Sequence, residues 1–147
     1  MENERIMGMN ISLKDLMNIV QAVSQVYPLI VLANLTKNTY TMLRNEGFLY
    51  NEVVNTGCYD DLIDDNIENI HKNYQHLFLE CFSREHLTKS FREGKTEVYA
   101  ELYQKNKEGQ YQWVSTHVIK VENNSGDICH VCLNRVLDGI VEERHTR

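Results

Sequence analysis

Cys129-His130-Val131-Cys132 places two thiols three positions apart, the spacing of zinc-holding and redox-active pairs. The segment around it alternates like a strand, and in a strand positions i and i+3 point to opposite faces. The two thiols cannot close on one ion without a bulge, and no second Cys-x-x-Cys is present. Two structural thiols are therefore expected. His71, His76, Cys81 and His86 recur at every fifth residue. Five residues turn a helix by about 500°, leaving successive side chains about 140° apart. Surface histidines are expected there rather than a metal site. Asp60-Asp61-Leu62-Ile63-Asp64 spells a pattern that can hold magnesium against a diphosphate. These acids fall at a helix start, where the macrodipole favours negative charge, and a solvated face explains them. His117, mid-strand on the face of Trp113, could serve a haem or a pH switch. A satisfied core or interface imidazole is the expectation for it. No Gly-rich phosphate loop, nucleophile elbow or zinc-protease motif occurs. No metal ligand is assigned.

The chain that must position these residues has 147 residues, of which 42% are apolar and 24% charged. That suffices for one domain with a core that needs no disulfide. The formal net charge of -6 disfavours nucleic acid and anionic membranes as general partners. No apolar run approaches the roughly 20 residues of a spanning helix. Residues 1–10 lack an apolar secretory stretch, so a cytoplasmic protein with four reduced cysteines is expected.

Residues 12–26 read as an amphipathic helix capped by Ser12. Leu13, Leu16, Met17, Val20, Val23 and Tyr27 recur at helical spacing, widened by Ile19 and Val26. Such a stripe needs a partner surface, either the domain's own sheet or a second subunit. Two strands follow over 29–35 and 39–44, joined by a tight turn. Residues 58–70 look helical, a second apolar set runs from Tyr74 to Phe82, and Ser83 caps a short helix closed by Gly94. The period then changes to two. Strands are expected over 96–105, 111–122 and 127–137, with turns at 106–109 and 123–126. On the last strand Cys129, Val131 and Leu133 share a face. Strands grouped on either side of a helical block indicate an α+β fold with one antiparallel sheet. Neither face of 111–122 is plainly polar, so both sides of the sheet should be covered, one by the middle helices and the other by the N-terminal helix.

In this order, four stretches resemble a PAS domain, a sensory module of bacterial signalling proteins. Gly94-Lys95 leads into a strand with Glu101 and Tyr103. Gly109-Gln110-Tyr111-Gln112-Trp113-Val114 resembles the opening of the penultimate PAS strand. Asn124-Ser125-Gly126-Asp127 resembles the turn after it. Asp138-Gly139-Ile140-Val141-Glu142-Glu143-Arg144 resembles the ending where such a domain passes to its output helix, although Gly139 interrupts the match. The resemblance implies a five-stranded antiparallel sheet with helices on one face, preceded by the N-terminal amphipathic helix. The expected division is 1–26 helical segment, 27–138 sensor domain and 139–147 linker stub. It also implies a non-catalytic sensor that binds a small ligand or dimerises and signals to an output domain such as a histidine kinase or diguanylate cyclase. Gly57-Cys58-Tyr59-Asp60-Asp61-Leu62 lacks the Arg and Gln that contact flavin in photosensor relatives, so light sensing is not expected. Neither haem nor flavin is supported by motif.

The expected pocket lies between the sheet and the helices. Its wall residues are Leu32 and Met42 from the first hairpin, Ile63, Ile67, Phe78, Phe82 and Phe91 from the helices, and Leu102, Val118 and Val131 from the later strands. They would equally serve as packed core. A homodimer through Leu13, Leu16, Met17, Val20, Val23 and Tyr27 is expected. The alternatives are a cone-like α+β enzyme or carrier, whose nearest acid–base candidates are His117 and Asp127, and a pure dimerisation module.

Overall fold

The computed structural model of the chain describes residues 12–46 and 55–137. The first helix, α1 (Leu13–Val26), starts where the Ser12 hydroxyl accepts a bond from the Asp15 N–H at 3.1 Å. That satisfies one of the donors a helix start leaves open. Strands β1 (Leu29–Asn34) and β2 (Thr39–Asn45) form a hairpin. Asn38 closes its turn at φ 57°, a left-handed conformation that Asn adopts more readily than most residues. A three-residue strand, β3 (Thr56–Cys58), pairs with β2. Helices α2 (Tyr59–Ile67), α3 (Gln75–Phe82) and α4 (Arg84–Arg92) follow, with a single 3-10 turn at Lys72–Tyr74. Ser83 ends α3 and caps α4, its hydroxyl accepting from the His86 N–H. At the far end Gly94, at φ 98°, donates to the Phe91 carbonyl, and the Lys95 N–H donates to Ser90. This pair of bonds is a Schellman stop. Strands β4 (Glu97–Lys105), β5 (Tyr111–Val121) and β6 (Cys129–Val136) complete the chain as a meander.

The sheet is antiparallel throughout, in the order β3-β2-β1-β6-β5-β4. Five of these strands match the sequence expectation. β3 is the sixth, and its Thr-Gly-Cys carries no periodicity from which a strand could be read. β6 returns to pair with β1, and side chains clasp the join. Asn34 Nδ2 donates to Asp127 at 2.9 Å, and Thr36 Oγ1 accepts from the Ile128 N–H at 2.9 Å. At the other margin, the segment after α2 lies along the end of β4. The His71 N–H donates to Tyr103 and the Lys105 N–H to Asn69, with Ile70 bridged to Gln104.

The helices α2 to α4 cover one face, and the core lies between them and the sheet. Phe82, Leu87, Leu102, Val114 and Val118 are fully buried there. The opposite, outer face is a correction to the sequence reading. No α1 residue is buried, and Met17 is 62% exposed. α1 therefore does not serve as the second cover. The β4 margin of that face is polar, with Glu97, Tyr99 and Glu101, while Ile30 and Trp113 nearer its middle are buried without help from a buried α1 residue. Leu32 also lies on the outer face and is 40% exposed.

One knot fixes the helical layer against the first hairpin. The Asn38 carbonyl accepts from the Tyr59 N–H, its Oδ1 accepts from the Asp60 N–H, and its Nδ2 donates to Asp60 Oδ2. Arg84 Nε and Nη2 donate to the same carboxylate at 3.0 to 3.2 Å. Asp60 thereby links the turn, the start of α2 and the start of α4. The Arg84 guanidinium holds the Asp60 carboxyl below the usual carboxylate range, against the opposing pull of desolvation.

Two tests follow from the packing. Leu102→Ala should destabilise the domain by about 2–5 kcal/mol in urea unfolding, whereas Leu32→Ala should cost less than about 1 kcal/mol. Asn38→Ala should be less stable than Asn38→Gly by about 1 kcal/mol, because both lose the Asp60 bonds but only alanine resists the left-handed turn. Equal midpoints within either pair would contradict this placement.

Candidate functional site

Strand alternation decides what faces the helices. Leu29 and Val31 of β1, Met42 of β2, and Thr116 and Val118 of β5 point inward. The β5–β6 register sets Val118 against Cys132 and Thr116 against Asn134. His130, Cys132 and Asn134 therefore also point inward. With Tyr59, Leu62, Ile63 and Asn66 of α2, Ile70, Phe78 and Phe82, and Gln104, they enclose a cavity of about 60 Å³. The lining contains no Asp, Glu, Lys or Arg.

Room for the His130 ring comes from β1, whose facing residue is Ala33. The ring is 0% exposed, lies 5.6 Å from the Tyr59 ring in an edge-to-face contact, and has Phe91 on another side. Neither ring nitrogen makes a hydrogen bond. Burial pushes the imidazole down to about 4, and the nearby Val131 backbone, short of hydrogen-bonding geometry, only tempers the shift. The ring is thus neutral at pH 7, with one donor and one acceptor. Beside it the polar groups satisfy one another. Thr116 Oγ1 donates to Asn134 Oδ1 at 2.7 Å, and Asn134 Nδ2 donates to Cys132 Sγ at 3.2 Å. Burial pushes the Cys132 thiol up to about 12, so it is not a thiolate nucleophile at neutral pH. The Tyr59 hydroxyl donates to the Phe82 carbonyl at 2.8 Å, and burial holds its pKa well above 10.

Of the ten wall residues named from sequence, Met42, Ile63, Phe78, Phe82 and Val118 line the cavity. Ile67, Phe91 and Leu102 belong to the surrounding core without lining it. Leu32 and Val131 are corrected. They face each other across β1 and β6 on the outer side, one position out of phase with the inward residues. His130, Thr116, Asn134 and Tyr59 were missed. The sequence offered no clean signal for them, since a tight turn over 123–126 alone would set Val118 opposite Val131, whereas the seven-residue connection 122–128 sets it opposite Cys132 and so turns His130 and Asn134 inward.

The other chemistry-bearing residues do not converge. His117 lies on the outer face, with Nε2 3.5 Å from Glu97 and the ring edge-on to Tyr99. Asp127 sits in the β5–β6 turn, bonded to Asn34 and 3.8 Å from Lys37. The structure therefore does not assemble the acid–base pair considered for an enzyme. His76 pairs with Glu80 and His86 with Ser83. Among the described residues no group of three or more His, Cys, Asp or Glu is placed to hold a metal, and all four cysteines are free. The tail residues 138–147, which carried part of the sequence resemblance, lie outside the described residues.

The buried imidazole has a pH consequence. Its folded pKa lies below the unfolded value of about 6.5, so the unfolded chain binds the extra proton between those values. The stability tied to a neutral His130 is therefore complete above about pH 6.5. It should fall by up to about 3 kcal/mol as pH drops toward 4. Urea unfolding of wild type and His130→Leu across this range should show a flatter profile for the variant. Parallel profiles would exclude the buried neutral ring.

No protein-family model and no curated protein matches the sequence. Among solved structures, the chain is similar to a sensory box histidine kinase/response regulator from Burkholderia thailandensis E264. The TM-score is 0.58 and the identity 13%, over 88% of this chain and 91% of that one. The N-terminal domain of a diguanylate cyclase with PAS/PAC sensor from Marinobacter aquaeolei matches over 78% of this chain and 97% of its own, at 14% identity and a TM-score of 0.45. The fold assignment rests on the first. With β1 and β6 joined at the middle of the sheet and α2 to α4 packed on one face of it, the described residues have the fold of a PAS domain.

Proposed function

We propose that this chain is a non-catalytic sensory domain that couples its interior cavity to α1. The supporting observation is continuity. α1 ends at Val26, and only Tyr27 and Pro28 separate it from β1, whose Leu29 and Val31 line the cavity. A ligand that favours one arrangement of β1 would bias the helix, since a ligand shifts an equilibrium by its differential affinity for the two states. The exposed stripe of Met17, Val20 and Val23 supports a homodimer through α1, passing the change to a fused or partner output domain such as a histidine kinase or diguanylate cyclase. The charge of -6 supports a reading without nucleic acid. No helix among the described residues is long and apolar enough to cross a membrane. A cytoplasmic location is part of the proposal. Haem and flavin are not, because about 60 Å³ is far below the roughly 300–1,000 Å³ of pockets for larger ligands.

Sedimentation tests the coupling element. The full chain should sediment as a dimer at high micromolar concentration. Met17→Asp combined with Val20→Asp should give a monomer with unchanged circular dichroism, and removal of residues 1–26 should give a monomer that has lost only the helical signal of α1. The same number of subunits in all three forms would refute the α1 dimer.

A further inference from the structure

His130 is the one cavity side chain among the described residues that is fully buried with both polar atoms unbonded. A neutral imidazole presents a donor and an acceptor, and leaving both unpaired away from water is unfavourable. Its neighbours do not supply them, since Thr116, Asn134 and Cys132 are bonded among themselves. The rest of the lining combines apolar side chains, Ile63, Phe78 and Val118 among them, with the neutral amides of Asn66 and Gln104. No charged side chain lines the space, so an ionic ligand would lose its hydration and gain no counter-charge. A volume of about 60 Å³ admits only a few heavy atoms.

Resting on the sensory reading above, we propose that the cavity takes an uncharged ligand of a few heavy atoms. One end carries a group that both donates and accepts a hydrogen bond, a hydroxyl or primary amide, held against His130. The short apolar remainder packs against Ile63, Phe78 and Val118. Burial keeps the imidazole neutral, which removes the attraction a carboxylate would otherwise find there. Water is the competing occupant, since it can bridge the same nitrogens, but it gains nothing from the apolar walls.

The test uses the full chain labelled with ¹⁵N and small probes of matched shape. Acetamide and ethanol should shift the amide signals of Cys132 and Asn134 saturably at neutral pH. Acetate and ethylammonium at equal concentration should not. His130→Phe, which keeps an aromatic ring and deletes both nitrogens, should weaken acetamide by about tenfold or more, the loss expected for one good hydrogen bond. His130→Leu serves if the Phe variant does not fold. Xenon, which needs only an apolar void, should enter wild type and variant alike. Equal binding of acetamide and acetate, or acetamide affinity unchanged in the variant, overturns the ligand class and leaves the cavity standing. Exclusion of xenon and of every probe removes both the ligand class and the cavity-based sensory reading.

Discussion

β1 and β6 pair from Leu29 against Asn134 to Asn34 against Cys129, and neither hairpin has a complete face to offer until they do. The contact closes most of the chain. Asn34 and Asp127 are separated by 93 positions, and closing such a loop costs about 4 kcal/mol in chain entropy plus a constant. The offset comes from bonds concentrated at the join. A ladder of six facing residue pairs is extended by the Leu35 N–H on the Ile128 carbonyl and by the Asn34 and Thr36 side chains. The helices α2 to α4 then have a continuous surface on which to bury Phe78, Phe82, Leu87 and Phe91.

The same pairing makes the interior unusual. It brings a polar stretch of β6 under the helices, because Leu29, Val31 and Ala33 of β1 face Asn134, Cys132 and His130. Thr116 and Asn134 resolve part of that conflict by bonding each other. Ala33 resolves another part by its size. Within this stretch of β6 the imidazole retains unmet bonding capacity. Native interiors rarely leave such groups unpaired. Among the described residues that line the cavity, the unmet bonds thus fall on one side chain, beside the void.

The sequence carries the element order well because each long element has an audible period. Residues 97–105 alternate cleanly, α1 repeats at helical spacing, and Ser83 and Gly94 bracket α4 by cap chemistry. Hydrophobicity misleads on β6. Cys129, Val131 and Leu133 form its apolar side and read as the buried one, yet they point to the outer face, while His130, Cys132 and Asn134 point in. The misplacement of Leu32 is the same error on the neighbouring strand, since Leu32 and Val131 face each other. Register, set by the whole connection 122–128 rather than by the tight turn within it, outranks apolarity there. α1 shows a different limit. Its stripe announces that a partner is needed, and periodicity has no means of saying whether that partner is intramolecular. β3 is too short to have a period at all.

Both margins of the sheet are blunted. At one, β3 offers only three residues, and at the other the backbone of residues 69–71 already occupies the end of β4. Exposed strand edges are ready templates for joining sheets between molecules. The part of β4 before Tyr103 carries Glu97 and Glu101, and like charges brought together there disfavour fusing two copies into one continuous ladder. Side-chain contacts between faces, unlike a shared ladder, can slide, rotate and part without unzipping backbone bonds.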